Sequence, residues 1–165
     1  MRGHVAPRIF RRLRDAQGTA LLEAAIITPL LLLLTFSIVD FGALFYVYLA
    51  LENGVSQATR FAVTGNLLDD PLNPATKLSR DNSIKLAMRQ ATPNLTIADG
   101  AFTFSHMAPG GAAWAGGSGG PNELAKVSIA YTWRFFNPML WAFFANGQIT
   151  LNVDSAMKNE GAPPS

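Results

Sequence analysis

The chain contains few side chains of the types and spacing that catalysis requires. It has no cysteine, so disulfides, thiolate nucleophiles and cysteine metal ligands are excluded. Its two histidines, His4 and His106, are isolated and do not form the spaced ligand set of a metal site. The sequence also lacks a phosphate-binding loop and a dinucleotide fingerprint. We therefore predict no metal site and no cofactor.

One short segment formally matches a sequence motif of serine hydrolases. Residues 116–120, GGSGG, satisfy the G-x-S-x-G motif with Ser118 at its centre. That motif exposes a reactive serine where a strand precedes it and a helix follows it. Here APGGAAWAG precedes the motif and PNEL follows it, so the sequence favours a flexible loop. A membrane-tethered hydrolase using Ser118 is the weakest alternative, and we predict no catalytic residue and no enzyme activity.

A long apolar run flanked by two carboxylates indicates a membrane-spanning helix more clearly than any motif indicates catalysis. Residues 24–39 carry no charge, Glu23 precedes them, and Asp40 follows them. About 20 mainly apolar residues span a bilayer, and residues 19–39 reach that length if Glu23 is accommodated. An unpaired carboxylate in lipid costs about 2.5–3.5 kcal/mol on insertion scales. Glu23 therefore needs a cationic partner or a place among the headgroups, and Asp40 is expected at the opposite interface.

The charge distribution predicts how this run is oriented. Residues 1–18 hold five arginines and one aspartate, a net charge of +4, whereas the remainder of the chain has a net charge of −2. A basic tip could bind nucleic acid, but its position directly before an apolar run fits the positive-inside rule better. The run is also longer than the core of a secretory signal peptide. We expect a retained membrane helix with a cytoplasmic N-terminus and no nucleic-acid partner.

Beyond the apolar run, the sequence predicts that the helix continues with one face made for close packing. Small residues recur at every fourth position, and polar side chains occupy much of the remaining surface. A Gly-Asn pair at residues 65–66 is typical of a helix end. The four small residues, here called the distal ridge, are Ala50, Gly54, Ala58 and Ala62.

A second set of small residues lies within the apolar run itself. Ala20, Ala24 and Thr28, here called the proximal ridge, follow the same four-residue spacing. Small side chains let helices approach closely in lipid, so this ridge is suited to helix–helix contacts. The same pattern supports almost equally well the interpretation that these residues simply face lipid and make no helix–helix contact.

The remaining sequence predicts a small α+β domain with one short helix and a three-stranded antiparallel sheet. The distal ridge is a natural cover for the apolar face of that sheet. An apolar connection at residues 138–147, PMLWAFFANG, could contact the membrane surface or another subunit, or equally be buried against its own sheet. The predicted elements are a loop at 66–77, a helix at 79–91, a weak strand at 101–106, a flexible excursion at 108–121, and strands at 125–135 and 148–157.

The residues around Gly18 resemble the processing site of class III signal peptides in type IV-like prepilins. Basic residues precede Gly18, TALLE follows it, and the apolar run comes next. The resemblance implies that a prepilin peptidase cuts between Gly18 and Thr19 on the cytoplasmic side, which makes Glu23 the fifth residue of the mature chain. The new α-amine of Thr19 would then pair with Glu23 of the same chain or of a neighbouring subunit.

A broader resemblance covers most of the chain. GTALLEAAIITPLLLLLTFSIVDFG at residues 18–42 is similar to the TadE-like family of tight-adherence (Flp-type) pilus assembly proteins. GVSQATRFAVTG at residues 54–65 and ITLNVDSAMKNE at residues 149–160 resemble that family's next helical segment and its closing strand and tail. The resemblance is strong over residues 18–65 and looser in the sheet.

The resemblance implies a minor pilin-like (pseudopilin) component of a tight-adherence pilus machine. Its implied partners are a prepilin peptidase, other pilin-like subunits, the inner-membrane assembly platform and the lipid bilayer, with adherence and biofilm formation as outcomes. The alternative is an unprocessed single-pass anchor that carries an extracytoplasmic binding domain. The predicted organisation is a basic leader at 1–18, a transmembrane and amphipathic helix at 19–64, and an extracytoplasmic α+β domain at 65–165.

Overall fold

The computed structural model describes the backbone of residues 9–160 and the side chains of residues 18–160. The arginine side chains of the predicted leader therefore lie outside the described residues. The predicted α+β class is confirmed. The helices and strands are α1 (Ile9–Val63), β1 (Asp69–Asp70), β2 (Asn73–Lys77), α2 (Arg80–Ala91), β3 (Phe102–Met107), β4 (Ala115–Gly116), β5 (Leu124–Arg134) and β6 (Gln148–Lys158).

The long N-terminal helix α1 contains 55 residues, which corresponds to about 80 Å at 1.5 Å per residue. It begins at Ile9, within the predicted leader, and continues through Pro29 without a break. It ends close to the predicted boundary. Gly65 adopts a left-handed φ of 69°, and its N–H bonds the carbonyl of Ala62 at 3.3 Å, which closes the last turn.

The first half of α1 exposes its apolar side chains. The described segment Gly18–Val63 is long and apolar enough to cross a membrane, and no residue of its most apolar window is buried. Hydroxyl groups in this half bond their own helix: Thr35 donates to the carbonyl of Leu31 at 2.9 Å, and Ser37 donates to that of Leu33 at 2.6 Å. Such bonds satisfy polar side chains where water is absent.

The second half of α1 packs into the domain. It contacts α2 on one side and strands β5 and β6 on the other. The hydroxyl of Thr59, which is fully buried, donates to the carbonyl of Val55 and lies 3.4 Å from that of Ser155 in β6. The core that these elements enclose includes Val47, Leu51, Val55, Ala58, Ala62, Ile84, Met88, Ile97, Phe102, Val127, Ile129, Leu151 and Val153.

The main sheet is antiparallel, with the strand order β4-β3-β5-β6. Strands β5 and β6 pair along their whole length, from Leu124 opposite Lys158 to Arg134 opposite Gln148. Apolar residues alternate along both strands, so one face is buried against α1. The two strands predicted most clearly from their alternation are therefore the pair with the longest register in the sheet.

Two segments differ from their predicted structure. The segment predicted as a loop at residues 66–77 contains a hairpin of β1 and β2, in which Lys77 pairs with Asp69 at 2.6 Å. The glycine-rich segment contributes β4, which adds a short fourth strand beside β3. Both pairings are local and involve few apolar residues, so the hydrophobic pattern did not indicate them.

Helix α2 is held at both ends by polar contacts. The side chain of Ser79 caps its first turn by accepting from the N–H of Asn82. Near its end, the Arg89 guanidinium donates to the carbonyl of Ile97 and to the carboxylate of Asp99. The hydrogen bond from Arg89 and, after it, the positive charge of that side chain favour the charged form of Asp99, so they lower its pKa below the usual value.

Candidate functional site

The predicted processing segment lies on the exposed part of α1. Gly18 and Glu23 are exposed to solvent, and α1 continues without a break across the bond between Gly18 and Thr19. A Cβ atom added to Gly18 would meet no atom within 4 Å. The fold therefore places no demand on a glycine at this position. Thr19 and Glu23 are four residues apart and so lie on the same helix face.

The two ridges of small residues occupy different environments. Ala20, Ala24 and Thr28 of the proximal ridge are exposed. In the distal ridge, Ala50 is half-buried, and the other three members are buried in the domain. The distal ridge is thus used within the subunit, whereas the proximal ridge is available to other molecules.

Gly54 shows why the distal ridge is made of small residues. A Cβ atom at Gly54 would lie 2.5 Å from Cγ2 of Thr92 and 3.2 Å from Cε of Met88, so helices α1 and α2 cross at a distance that excludes a side chain. Thr92 cannot easily yield, because its hydroxyl donates to the carbonyl of Met88 at 2.9 Å. Part of the distal ridge therefore packs under α2 and not only against the sheet.

Asp40 occupies a position that the sequence did not indicate. Within the chain it is only 1% exposed, a burial that its expected place at the membrane interface did not indicate. Its two carboxylate oxygens accept the backbone N–H groups of Phe136 at 3.0 Å and Asn137 at 2.8 Å. The apolar helix is thereby joined to the connection between β5 and β6. An acidic residue at the end of the apolar run was visible in the sequence, whereas its partners are almost a hundred residues away.

The connection between β5 and β6, residues 135–147 and here called the aromatic loop, is a packed structure. Phe135 and Leu140 are buried against Leu44 of α1. The rings of Phe135 and Phe144 lie 4.4 Å apart, and Phe41 of α1 meets both rings edge-on. This inner side anchors the loop along α1.

Hydrogen bonds set the path of the aromatic loop. Asn137 caps a 3-10 turn at Pro138–Ala142 by accepting from the N–H of Met139 at 3.0 Å. The indole N–H of Trp141 donates to the carbonyl of Phe135 at 2.9 Å. Gly147 has a left-handed φ of 66°, and the indole of Trp141 fills the space where a Cβ atom would lie. These contacts hold the backbone of the loop in place.

The outer side of the aromatic loop is apolar and exposed. Phe136 and Phe143 are each 75% exposed, and Met139 and Trp141 are also exposed. The sequence left burial and contact with the membrane or another subunit equally open for residues 138–147. The structure shows burial for one side of the loop only, and the other side presents large apolar side chains.

Ser118 does not lie in a nucleophile elbow. It lies between β4 and β5, and no helix follows it before β5. His106 and Glu123 are 3.9 Å apart, and their bonds are to glycines near Ser118, namely Gly117 and Gly120. Within the described part of the chain, no group of three side chains is arranged to hold a metal ion.

The glycine-rich segment around Ser118 is docked onto the domain, contrary to the prediction of a flexible excursion. The Asn159 side chain donates to the carbonyls of Ser118 at 3.4 Å and Gly120 at 2.8 Å, and Arg80 donates to the carbonyl of Gly119. Gly119 has a φ of 71° and lies against His106. Polar side chains from distant elements hold this segment, a feature that its composition did not indicate.

We predict that Ser118→Ala leaves thermal stability and cellular function unchanged. The bond from Asn159 reaches the backbone carbonyl of Ser118, which alanine retains. Asn159→Ala is the informative comparison, because it removes the bonds to two carbonyls and should lower the Tm. The measurements are thermal unfolding of the purified chain and surface attachment of cells carrying each variant. Loss of attachment by Ser118→Ala at normal protein levels would support a hydrolase instead.

The fold and these contacts define a class of protein. An exposed apolar helix, long enough to cross a membrane, continues directly into the core of a small α+β domain. This architecture indicates a domain attached to a membrane by the helix that also completes its core.

Comparison with known proteins finds one family match, which covers part of the chain. Residues 18–60 match the family model described as TadE-like protein, which confirms the family predicted from the sequence. The match begins at Gly18 and includes Glu23, Asp40 and Gly54, and it ends before the sheet. A TadE-like protein is associated with the Tad pilus. No curated protein and no solved structure matches the chain.

Proposed function

We propose that the chain is a minor pilin-like component of the tight-adherence pilus machine, anchored in the inner membrane and trimmed by a prepilin peptidase after Gly18. The observation that carries the proposal is the placement of Gly18 and Glu23. Both lie at the exposed start of the apolar helix, within the residues that match the TadE-like model. Among the described side chains of α1, those buried in the domain begin at Asp40, well after Gly18 and Glu23.

Glu23 has a specific role in this proposal. Cleavage creates a positively charged α-amine on Thr19, one helical turn away from the carboxylate. Pairing of the two charges reduces the cost of placing either of them in lipid. The amine of one subunit can equally pair with Glu23 of its neighbour, which favours a fixed stagger between adjacent helices. Because Glu23 is exposed, either arrangement is accessible.

The proximal ridge supplies the contact surface for other pilin-like helices. Ala20, Ala24 and Thr28 are exposed on the part of α1 that the domain leaves uncovered. Without bulky side chains, a second helix can approach closely in lipid, where van der Waals contact drives association. The distal ridge is unsuited to this role because its buried members already pack inside the subunit.

The proposal is tested on the unmodified protein. N-terminal sequencing of the chain purified from membranes should find Thr19 as the first residue. A reporter that is active only in the periplasm should be active when fused after Ser165, because the leader's positive charge holds the N-terminus in the cytoplasm. If the purified chain begins at Met1, it is not processed, and the alternative function, a single-pass anchor that carries a binding domain, is supported instead. A reporter that is active only in the cytoplasm would contradict the topology.

A further inference from the structure

The outer side of the aromatic loop has the chemistry of a membrane-contacting surface. Phe136 and Phe143 are each 75% exposed there, and Met139 and Trp141 are partly exposed beside them. Exposed apolar patches of this kind mark contacts with a protein or a membrane. The position of the loop beside the apolar helix distinguishes these two partners.

We propose that the aromatic loop inserts into the lipid leaflet on the domain's side of the membrane. Two clefts show how far the loop extends along α1. One is lined by Phe36 and Val39 of α1 together with Phe136 and Pro138. The other is lined by Leu30, Leu33 and Leu34 together with Leu140 and Phe143.

The depth of the loop follows from these clefts. The aromatic loop lies beside α1 from Asp40 to Leu30, a distance of about 15 Å along the helix axis. Residues 24–39 are the uncharged run that is suited to the hydrocarbon core. A helix that places this run in lipid therefore carries Phe143 into the same leaflet. The exposed rings of the loop continue the exposed apolar surface of the helix.

Several backbone N–H groups of the irregular aromatic loop are hydrogen-bonded within the protein, as an environment without water requires. Polar backbone groups are tolerated at membrane depth only where protein satisfies them. Asp40 accepts two of the loop's N–H groups, and those of Phe143 and Gly147 bond the carbonyls of Leu140 and Phe144, both at 2.9 Å. Asp40 is thus a positioning residue, since its carboxylate holds the loop against the helix while its own charge is removed from lipid.

The rim of the loop has the composition of a membrane interface. The guanidinium of Arg134 lies 4.9 Å from the centre of the Trp141 ring. Tryptophan is enriched at the level of the headgroups, and a long cationic side chain beside it can extend toward the phosphates. The pair would set the loop's depth, with Phe143 below the headgroups and Arg134 among them.

The test uses the absence of cysteine from the chain, which lets single cysteines be labelled specifically. Phe143→Cys reports on the loop, and Leu72→Cys, at a side chain 95% exposed in the β1–β2 hairpin, is the matched control. Each full-length variant carries an environment-sensitive fluorophore and is reconstituted into vesicles of phosphatidylethanolamine and phosphatidylglycerol. Flotation of the vesicles first establishes that the chain is anchored.

We expect the label at position 143 to emit at a shorter wavelength than the label at position 72, because its surroundings are less polar. Lipids spin-labelled in the acyl chain should quench it several-fold more strongly than the label at position 72. Aqueous iodide should quench the label at position 72 more strongly than the label at position 143. Equal iodide quenching at both positions in floated vesicles would overturn loop insertion while leaving the anchor and the proposed function intact.

Two other outcomes also decide the inference. Protection of position 143 only when other pilus subunits are present would mean that the loop docks a protein, which contradicts insertion into lipid. Failure of the chain to float with vesicles would overturn the membrane anchor on which both this inference and the proposed function rest. Processing at Gly18 is read separately from the N-terminal sequence.

Discussion

The Asp40→Leu variant should lose the attachment of the aromatic loop to α1. The substitution leaves two N–H groups without an acceptor, that of Asn137 in a buried bond and that of Phe136 in a part-buried one. Each orphaned donor costs about 1–3 kcal/mol. For a domain of about 100 residues, we expect the Tm to fall by roughly 10–20 °C. Thermal unfolding of the detergent-solubilised full chain measures this change, and limited proteolysis should cut faster within residues 136–147.

Two further variants separate the hydrogen bonds from the loss of a charge. Asp40→Asn should be intermediate, because the amide keeps one acceptor oxygen but turns a donor toward the second N–H. Glu52→Leu removes an exposed carboxylate from the same helix and should change the Tm little. Asp40→Leu also makes the helix more apolar, so weaker membrane insertion cannot explain its effect. Equal Tm values for Asp40→Leu and Glu52→Leu would refute the structural role of Asp40.

Gly18→Leu should retain the leader completely. The resemblance to prepilins implies that the peptidase requires a glycine before the cleaved bond, and a leucine side chain would obstruct its approach. The fold itself tolerates the change, because a Cβ atom at Gly18 meets no atom within 4 Å. Gly42→Leu is the matched control, since a Cβ atom there is equally free of contacts on the same helix. N-terminal sequencing should find Met1 in the first variant and Thr19 in the second.

Glu23→Ala separates processing from assembly. It should still be trimmed at least in part and inserted stably, because the substitution removes a charge from the apolar segment. Association with other pilin-like subunits should weaken, since the mature amine at Thr19 loses this carboxylate in lipid. Co-purification with partner subunits measures the loss. Normal assembly of Glu23→Ala would mean that the carboxylate is only an interfacial residue.

Local patterns in the sequence were sufficient to predict the main elements. The apolar run and the spacing of small residues predicted α1, and strict alternation predicted β5 and β6. The TadE-like family was likewise predicted from residues that lie close together in the chain. These features are readable because a helix face and a strand face each impose a fixed short period on the sequence.

Weakly patterned segments were predicted less well. The β1–β2 hairpin was predicted as a loop, and the segment containing β4 as a flexible excursion. Hydrogen bonds from distant side chains, such as Asn159 to the carbonyl of Gly120, stabilise the second of these. A short pairing of polar residues has no hydrophobic period, so it becomes predictable only once its neighbours in space are known.

The sequence by itself determined that the chain has an apolar helix with Gly18 and Glu23 at its start, followed by an α+β domain. Only the tertiary structure decided that Asp40 is buried, that Gly54 lies under α2, and that the aromatic loop turns one side toward α1 and the other outward. The physical reason is distance along the chain. Asp40 and Asn137 are 97 residues apart, and their contact depends on the packing of α1 against the sheet, which no local period encodes.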